Sequence, residues 1–371
     1  MTAQHLITTS TELEVIGSEI RAAGRVAVDT EFVWERTFYP ELGIVQLATD
    51  EEHGWLLDIP ALAGKLEPLG RILADPGIEK IIHDARQDLT ILKNATGAYP
   101  ANIFDTRLAA GFIGPSASLS LADSCRKFLG RTLDKGETRS NWLKRPLSPE
   151  QCRYALYDVI FLPQIRDLIA ARATELGRQE WLEEEMKLYN DPKLYDDPPL
   201  NEIYTKVKGA SRLEPRELAV LRELAAWRDA EARRRNRPRR HIIPDDPLIN
   251  LALNQPEKIE IIKRGCGLSP RAAQRYGSKL RELILEARKT PTGDLPASRR
   301  RNHNRNLALR ARRLLDFIRD FCADQEIDPA LIANRQEIEK LLTASDPTAC
   351  SIPLTRGWRR AFIGREISER L

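Results

Sequence analysis

The chain has 371 residues, of which 42% are apolar and 30% are charged, and its formal net charge is +4 at pH 7. This length and apolar content predict two or three domains with sizeable cores. No apolar run approaches the ~18 residues of a membrane span, and MTAQHLITTSTELEV has no basic region followed by an apolar one, so neither a membrane protein nor a secreted protein is expected.

The first half of the chain shows the pattern of a mixed α/β sheet. Short apolar runs between turn-forming residues predict strands and one helix up to residue 105, and helices follow to about residue 188. Three hairpin-linked strands joined to two parallel ones form a mixed sheet. The predicted strands are residues 25–31, 43–49, 54–58, 79–83 and 102–105, and the helix lies near 66–74.

Two acids stand at the end of the first predicted strand, in VAVDTEF. Asp29 and Glu31 are two residues apart, so both side chains leave the same face of the strand. Converging carboxylates repel each other unless a cation lies between them, and oxygen ligands suit Mg²⁺ or Mn²⁺. An isolated D-x-E is more often a strand end with solvated acids, so the pair needs support from other motifs.

The segment HDARQDL contains two further candidates, Asp84 and Asp88. Residues 80–85 predict a second buried strand, and the apolar spacing after it is partly helical. Asp88 then lies in the first turn of a helix, where the macrodipole favours an anion, and Asp84 is the last residue of the strand or a cap. His83 is interpreted as a strand histidine with satisfied hydrogen bonds rather than as a ligand.

The sequence SPEQ at residues 148–151 predicts the start of another helix. Ser148 takes the N-cap position, Pro149 the first helical position, and Gln151 completes a capping box. This register places Tyr154 and Asp158 together on one face. Such pairs are frequent on helices, so this one gains meaning only beside the other acids. The predicted buried stripe of the helix is Cys152, Leu156, Val159 and Leu162.

Charge is divided unevenly along the chain. Residues 1–205 contain 22 Lys and Arg against 32 Asp and Glu, a net of −10, whereas residues 206–371 contain 36 against 22, a net of +14. A basic region beside an acidic one is typical of a protein that captures nucleic acid, and the alternative is a helical domain with solvated arginines. Six arginines are concentrated in one short segment: Arg233, Arg234, Arg235, Arg237, Arg239 and Arg240.

Turn-forming residues divide the second half. Residues 189–211, which include DPKLYDDPP, predict a linker, and residues 291–298 predict a second one. Between them, residues 212–290 predict a helical domain that begins with an amphipathic helix ending before Pro238. The apolar positions of that helix are Leu218, Leu221, Leu224 and Trp227. Residues 299–371 predict further helices.

The cysteines indicate a reducing compartment. They are odd in number, widely spaced, and form no C-x-x-C pair: Cys125, Cys152, Cys266, Cys322 and Cys350. This pattern favours reduced, buried thiols over a disulfide framework. We therefore expect a cytoplasmic protein.

Taken together, these motifs resemble the ribonuclease D family, in the tyrosine-bearing branch of the DEDD exonucleases. The resemblance is carried by VDTEF, RTFYPELGIVQLA, the DL after Asp88, IFDT at 103–106 and LDKGETRSNWLKRPLSPEQCRYALYDV at 133–159. It implies a ribonuclease-H-like exonuclease domain at 1–188. A second resemblance, carried by IIPDDPLINLALNQPEKIEIIKRGCGLSPRAAQRYGSKLREL, implies an HRDC-type helical domain at 212–290, a nucleic-acid-binding module shared with RecQ-type helicases. The family architecture, together with RRLLDFIRDFCADQEIDPALIANRQEIEKLL, implies a diverged second copy at 299–371.

The resemblance also implies residue roles. Asp29, Glu31, Asp88 and Asp158 are the implied ligands of two divalent ions, Mg²⁺ or Mn²⁺, and Tyr154 the implied residue that positions the attacking water. Asp88 is favoured over Asp84 because the family has another residue where Asp84 stands. Asp105 and Thr106 belong to the family pattern, but a helix cap explains them, and packing explains Trp142.

The implied function is a 3′-5′ exoribonuclease that releases nucleoside 5′-monophosphates, with transfer RNA precursors as the typical substrate. A DNA 3′-5′ exonuclease ranks lower, because no polymerase or helicase motif, such as G-x-x-x-x-G-K-[ST], accompanies these residues. A non-catalytic RNA-binding scaffold is disfavoured by the four acids and the tyrosine. We also expect residues 1–205 alone to form a folded nuclease that binds RNA weakly.

Overall fold

The structure, a computed structural model, describes residues 6–114, 116–133, 136–137, 140–297, 305–346 and 350–371. The chain divides into two compact units. Unit 1 comprises Met1–Val33, Leu42–Asp196 and Asn304–Leu371, and unit 2 comprises Trp34–Glu41 and Asp197–His303. Four positions of the motif at 133–159 (134, 135, 138 and 139), residue 298 of the second predicted linker, and residues 299–304 and 347–349 of the last predicted domain lie outside the described residues.

A six-stranded sheet lies in unit 1. Its strands are β1 Leu6–Ile7, β2 Arg25–Val33, β3 Glu41–Ala48, β4 Gly54–Asp58, β5 Glu79–Ile82 and β6 Ile103–Asp105. Their order is β1-β4-β3-β2-β5-β6. Strand β3 is antiparallel to β4, β1 is parallel to β4, and β5 is parallel to both β2 and β6. The predicted mixed sheet is confirmed, whereas β1 was not predicted because two residues are too short for a periodic pattern.

Helices surround the sheet. In the first part of the chain they are α1 Ser10–Ala23, α2 Glu67–Ala74, α3 Arg86–Thr96, α4 Thr106–Ala110, α5 Leu121–Leu129, α6 Pro149–Tyr157, α7 Leu162–Glu175 and α8 Gln179–Met186. The capping box predicted at the start of α6 is present, since Ser148 accepts from the Gln151 backbone and the Gln151 side chain accepts from the Ser148 backbone. Helix α1 was not predicted, although Thr9 and Glu12 form the same kind of box.

The predicted buried stripe of α6 is partly wrong. The helix ends at Tyr157, with Asp158 as its C-cap, and Leu162 already belongs to α7. Because the chain turns there, Val159 and Leu162 enter the core on one side of the sheet, whereas the buried residue of α6 itself is Ala155. Cys152 and Leu156 are only partly buried.

The last described helices, α14 Arg305–Asp324, α15 Arg335–Thr343 and α16 Gly357–Ser368, share a core with the part of unit 1 that contains the sheet. Their residues Ile318 and Trp358 belong to the same buried cluster as Phe112 and Ile165.

The predicted linker at 189–211 consists largely of 3-10 turns, and the unit boundary at Asp196 lies inside it. That residues 299–371 form a second HRDC-like domain stays a prediction.

Unit 2 is helical around its own core. Its helices are α9 Pro215–Arg234, α10 Arg239–Ile242, α11 Asp245–Asn254, α12 Ile259–Gly265 and α13 Pro270–Ala287. Helix α9 ends before Pro238, as predicted, and buries Leu218, Leu221 and Leu224. In the part of the chain that the structure describes, no helix has both the length and the apolar character needed to span a bilayer.

Candidate functional site

Four carboxylates, which we call the acidic cluster, lie in unit 1: Asp29, Glu31, Asp88 and Asp158. Asp29 and Glu31 are on β2, Asp88 is in the first turn of α3, and Asp158 caps the end of α6. All four side chains are partly exposed. Because the strand and the two helix ends bring these residues together, the site draws on three separate parts of the sequence.

Three members of the cluster converge closely. One carboxylate oxygen from each of Asp29, Glu31 and Asp158 lies within 4.8 Å of the others. Asp88 is outside this group, and its Oδ1 accepts a hydrogen bond from the Thr30 hydroxyl. The Gln46 side-chain amide donates to Asp29 Oδ2 at 3.4 Å. The structure thus places Asp88 beside the trio rather than within it.

The electrostatics of the acidic cluster favour binding of a cation. Burial, with repulsion from neighbouring members of the cluster, raises the pKa of Asp29 well above its usual range and that of Glu31 to about 8. Burial also raises the pKa of Asp158 to about 7 and that of Asp88 to about 6. Among the described residues, no Lys, Arg or His forms an ion pair with any of the four. An all-oxygen set without a cationic side chain fits Mg²⁺ or Mn²⁺.

The other acid in HDARQDL has a different role. Asp84 adopts a left-handed backbone conformation, with φ of 67°, and its mostly exposed carboxylate pairs with Arg107. The buried Asp105 caps α4 and also accepts from the backbone N–H groups of Asp84 and Ala85, at 3.1 and 2.9 Å. Asp105 therefore fixes the turn that leads into α3 and to Asp88.

His83 makes hydrogen bonds with both ring nitrogens. Nδ1 lies 2.9 Å from the Thr106 hydroxyl, and Nε2 lies 3.0 Å from the Leu119 carbonyl oxygen. Burial lowers its pKa, which favours the neutral ring. This environment is that of a structural histidine.

Tyr154 is held between an acid and an aromatic ring. Its hydroxyl hydrogen-bonds Asp158, which opposes the effect of burial on the pKa of that acid. Its ring packs on buried Trp142, with centroids 6.1 Å apart. The segment carrying Trp142 is fixed by Arg145, which pairs with Asp58 at 2.7 Å. The segment also lies so close to Gly43 that a Cβ there would be 2.5 Å from the Trp142 carbonyl oxygen.

Sequence reasoning missed two polar neighbours of the acidic cluster. Thr30 stands between Asp29 and Glu31 in the chain and bonds Asp88, and Gln46 is fully buried on β3. One signal was present in Gln46 itself, a lone amide within the apolar run GIVQLA that needs a polar partner when buried. For Thr30 the spacing contained no signal.

In unit 2, most arginines of residues 233–240 pair with local carboxylates. Arg233 and Arg239 both bond Asp229, whose side chain is fully buried, and Arg234 and Arg235 bond Glu231. In the part of the chain that the structure describes, only Arg237 and Arg240 of this segment lack a carboxylate partner. The segment is therefore less available to phosphates than its sequence suggests.

Comparison with protein families gives two matches. Residues 4–172 match the 3′-5′ exonuclease model, and residues 217–284 match the HRDC domain model. The first match includes all four residues of the acidic cluster and Tyr154. The second lies entirely within unit 2.

Individual proteins match over nearly the whole chain. Ribonuclease D of Desulfotalea psychrophila is 39% identical over 98% of this chain and 97% of its own length. Ribonuclease D of Pseudomonas paraeruginosa is 35% identical over 94% of this chain and 92% of its own. The crystal structure of Escherichia coli RNase D, described as an exoribonuclease involved in structured RNA processing, superposes with a TM-score of 0.88 at 29% identity, covering 100% of this chain and 99% of that one.

Proposed function

Because this chain belongs to the ribonuclease D family and is a 3′-5′ exoribonuclease, we propose that it hydrolyses RNA with divalent metal ions bound at the acidic cluster. The products would be nucleoside 5′-monophosphates, and the substrates 3′ ends of transfer RNA precursors. The observation that carries the proposal is the approach of three carboxylates to within 4.8 Å, with Asp88 and Tyr154 beside them.

The proposed chemistry assigns separate roles to these side chains. Two ions bound there would lower the pKa of a water molecule and stabilise the leaving 3′ oxygen. Asp29 would be the shared ligand, Glu31 and Asp158 would lie on the side of the attacking water, and Asp88 on the side of the leaving group. Tyr154 orients the water through its hydroxyl, because a phenol with a reference pKa near ~10 is a poor base at neutral pH.

The role of Tyr154 predicts the effect of its replacement. We expect Tyr154→Phe to lower kcat by ~2 to 4 orders of magnitude, because it deletes a positioning oxygen and keeps the ring that packs on Trp142. KM for RNA and the affinity for Mn²⁺ should change little. Single-turnover kinetics and metal titration measure these quantities separately.

The matched control is Tyr157→Phe, one helical turn away and packed on Phe161 with centroids 5.8 Å apart. It loses the same atom and should retain kcat. If Tyr154→Phe weakened metal binding as much as it slowed turnover, Tyr154 would be a structural support of the cluster rather than a positioning residue.

The raised pKa values predict how pH affects the metal-free protein. Between about pH 5 and pH 8 the unfolded chain has lost the protons of these acids, whereas the folded state still holds protons on Glu31, Asp158 and Asp88, with pKa values of about 8, 7 and 6. The free energy of unfolding should therefore fall as pH rises through this range.

Urea unfolding in EDTA at several pH values measures that slope, and Glu31→Gln should make it shallower because one titrating group is lost. Saturating Mn²⁺ should remove the decrease, since it binds the deprotonated carboxylates. Equal slopes for the wild type and Glu31→Gln would show that Glu31 does not titrate as described.

Unit 2 supports capture of RNA. It contains the region matched by the HRDC model and belongs to the basic part of the chain, which can neutralise the phosphates that the acidic catalytic part repels.

All five cysteines are free thiols, which supports a reducing compartment, the cytoplasm, as the place of action.

One experiment separates this function from hydrolysis of DNA. Matched RNA and DNA duplexes with 3′ overhangs are incubated with the full chain in EDTA, Mg²⁺ or Mn²⁺, and the products are separated. We expect metal-dependent shortening of RNA from the 3′ end, with release of nucleoside 5′-monophosphates. Shortening of DNA alone would contradict the assigned substrate class, and cleavage in EDTA would contradict the metal mechanism.

A further inference from the structure

Unit 2 contains a cavity of about 870 Å³ that no catalytic residue lines. Its wall includes part of the segment Trp34–Glu41, the 3-10 turn Leu200–Lys206, and the region around α10. It combines exposed aromatic and cationic side chains, which are the two kinds of group that bind single-stranded nucleic acid without reading its sequence.

The aromatic wall is held firmly in place. The Phe38 ring lies near the guanidinium groups of Arg233 and Arg239, 4.9 and 4.5 Å from its centroid. The Tyr39 hydroxyl donates to Asp197 at 2.5 Å. Trp34, at the start of the same segment, is 63% exposed, so its indole offers a surface on which a base can stack.

Some of the cationic side chains that line the cavity are in ion pairs, and others are not. Arg239 is committed to Asp229, and Arg228 to Asp245. Lys206 and Arg240 are both exposed, and within the described residues neither has a carboxylate partner. A phosphate can therefore bind to either cation without breaking an ion pair.

The short stretch of chain between Glu31 and Trp34 keeps Trp34 close to the acidic cluster. Glu31 and Trp34 are three residues apart, so their Cα atoms are within about 11 Å of each other however the two units are arranged. A strand with its last phosphodiester at the acidic cluster can therefore reach the indole with one of the bases on the 5′ side of that phosphodiester.

We propose that this cavity binds the single-stranded 3′ segment of the substrate, with a base stacked on Trp34 and phosphates paired with Lys206 and Arg240. The proposal rests on the RNA hydrolysis proposed above. A stacked base must be unpaired, so trimming should slow when a duplex region reaches the cavity. Trp34 thereby becomes a determinant of the length of single strand that the enzyme requires.

The test uses the full-length protein and a series of single-stranded RNAs, each with one abasic residue at a different distance from the 3′ end. For the wild type, we expect one position at which loss of the base raises KM by about tenfold. Trp34→Ala should raise KM for intact RNA by a similar factor and should remove the position dependence. Trp34→Phe should restore part of it, because a benzene ring still stacks.

The charges are tested by the salt dependence of KM. Lys206→Gln and Arg240→Gln should each reduce the slope of log KM against log salt by ~0.7. Lys263→Gln is the matched control, because this exposed lysine lies on α12, away from the cavity, and its replacement changes the net charge of unit 2 equally.

The outcomes separate this inference from the function on which it rests. If the wild type hydrolyses RNA normally but no abasic position affects KM, or if Trp34→Ala keeps the wild-type profile, the cavity does not bind the strand. Equal salt slopes for Lys206→Gln and Lys263→Gln would overturn the assignment of Lys206 to phosphate. Failure of the wild type to cleave any RNA would instead overturn the proposed function.

Discussion

Asp29→Asn is expected to lower kcat by more than about 10³-fold while the full chain still binds RNA. The substitution keeps the size of the side chain and removes one of three carboxylates that lie within 4.8 Å of each other. A metal ligand shared by two ions supports both the attacking and the leaving oxygen, so its loss should exceed the ~10² to 10³ effect of a single donor. Turnover is measured on a 3′-overhang RNA with saturating Mn²⁺, and RNA affinity by filter binding.

Two measurements show whether that loss is chemical. Burial and repulsion from neighbouring acids disfavour the ionised form of the Asp29 carboxyl group. Without metal at pH 8, the free energy of unfolding of Asp29→Asn should therefore be no lower than that of the wild type. Asp84→Asn is the matched control, because this mostly exposed acid pairs with Arg107 and its replacement should leave kcat almost unchanged.

Asp88→Asn and Asp158→Asn should lower kcat as Asp29→Asn does. A variant of the acidic cluster with near-normal turnover would remove that residue from the proposed metal site.

Much of the sheet could be predicted because its strands carry local signals. Apolar runs bounded by turn formers identify β2 to β6, and the D-x-E spacing places two acids on one side of β2. The capping box at Ser148 set the register that brings Tyr154 beside Asp158. These signals are contained in a few neighbouring residues, and a single sequence is enough to see them.

Other features depend on contacts between distant residues. The hydrogen bond from Thr30 to Asp88 joins residues 58 positions apart, and nothing in the spacing around either residue indicates it. The pairing of Arg239 with the buried Asp229 depends on the turn after α9, whereas Arg233 reaches the same acid from the next turn of that helix. Because the composition does not show these ion pairs, residues 233–240 resembled an open basic surface in the sequence.

The expectation that residues 1–205 fold alone followed from a division of the chain made on the sequence alone, and the packing of the C-terminal helices argues against it. Buried Glu185 accepts from Trp358 Nε1 at 2.9 Å and from Arg359 at 2.6 and 2.8 Å. Buried Arg178 donates to the carbonyl oxygens of Phe112 and Glu326, at 2.7 and 2.9 Å. Removing the C-terminal helices would leave the Glu185 carboxylate without these donors, would deprive Arg178 of its C-terminal carbonyl partner, and would expose the core that the helices cover.

We therefore expect a protein truncated after residue 304 to be largely unfolded or aggregated, and Trp358→Ala in the full chain to lower the free energy of unfolding by ~3 to 5 kcal/mol. The Trp358 ring stacks on Trp181 at 5.6 Å and packs on Phe112 at 5.0 Å, so its removal opens a cavity beside the sheet. Urea denaturation with Mn²⁺ present measures the loss.

The effect should also reach the acidic cluster through α8. Met186, at the end of α8, accepts a hydrogen bond from the Asp105 backbone N–H at 3.3 Å, and the Asp105 side chain fixes the turn before Asp88. Trp358→Ala should therefore weaken Mn²⁺ binding under conditions where the protein is still folded. Arg365→Ala is the matched control on α16, because its side chain is 87% exposed and pairs only with Glu369 in the described part of the chain. If the protein truncated after residue 304 instead gave a cooperative unfolding transition and normal metal affinity, the C-terminal helices would not be part of the core of the nuclease.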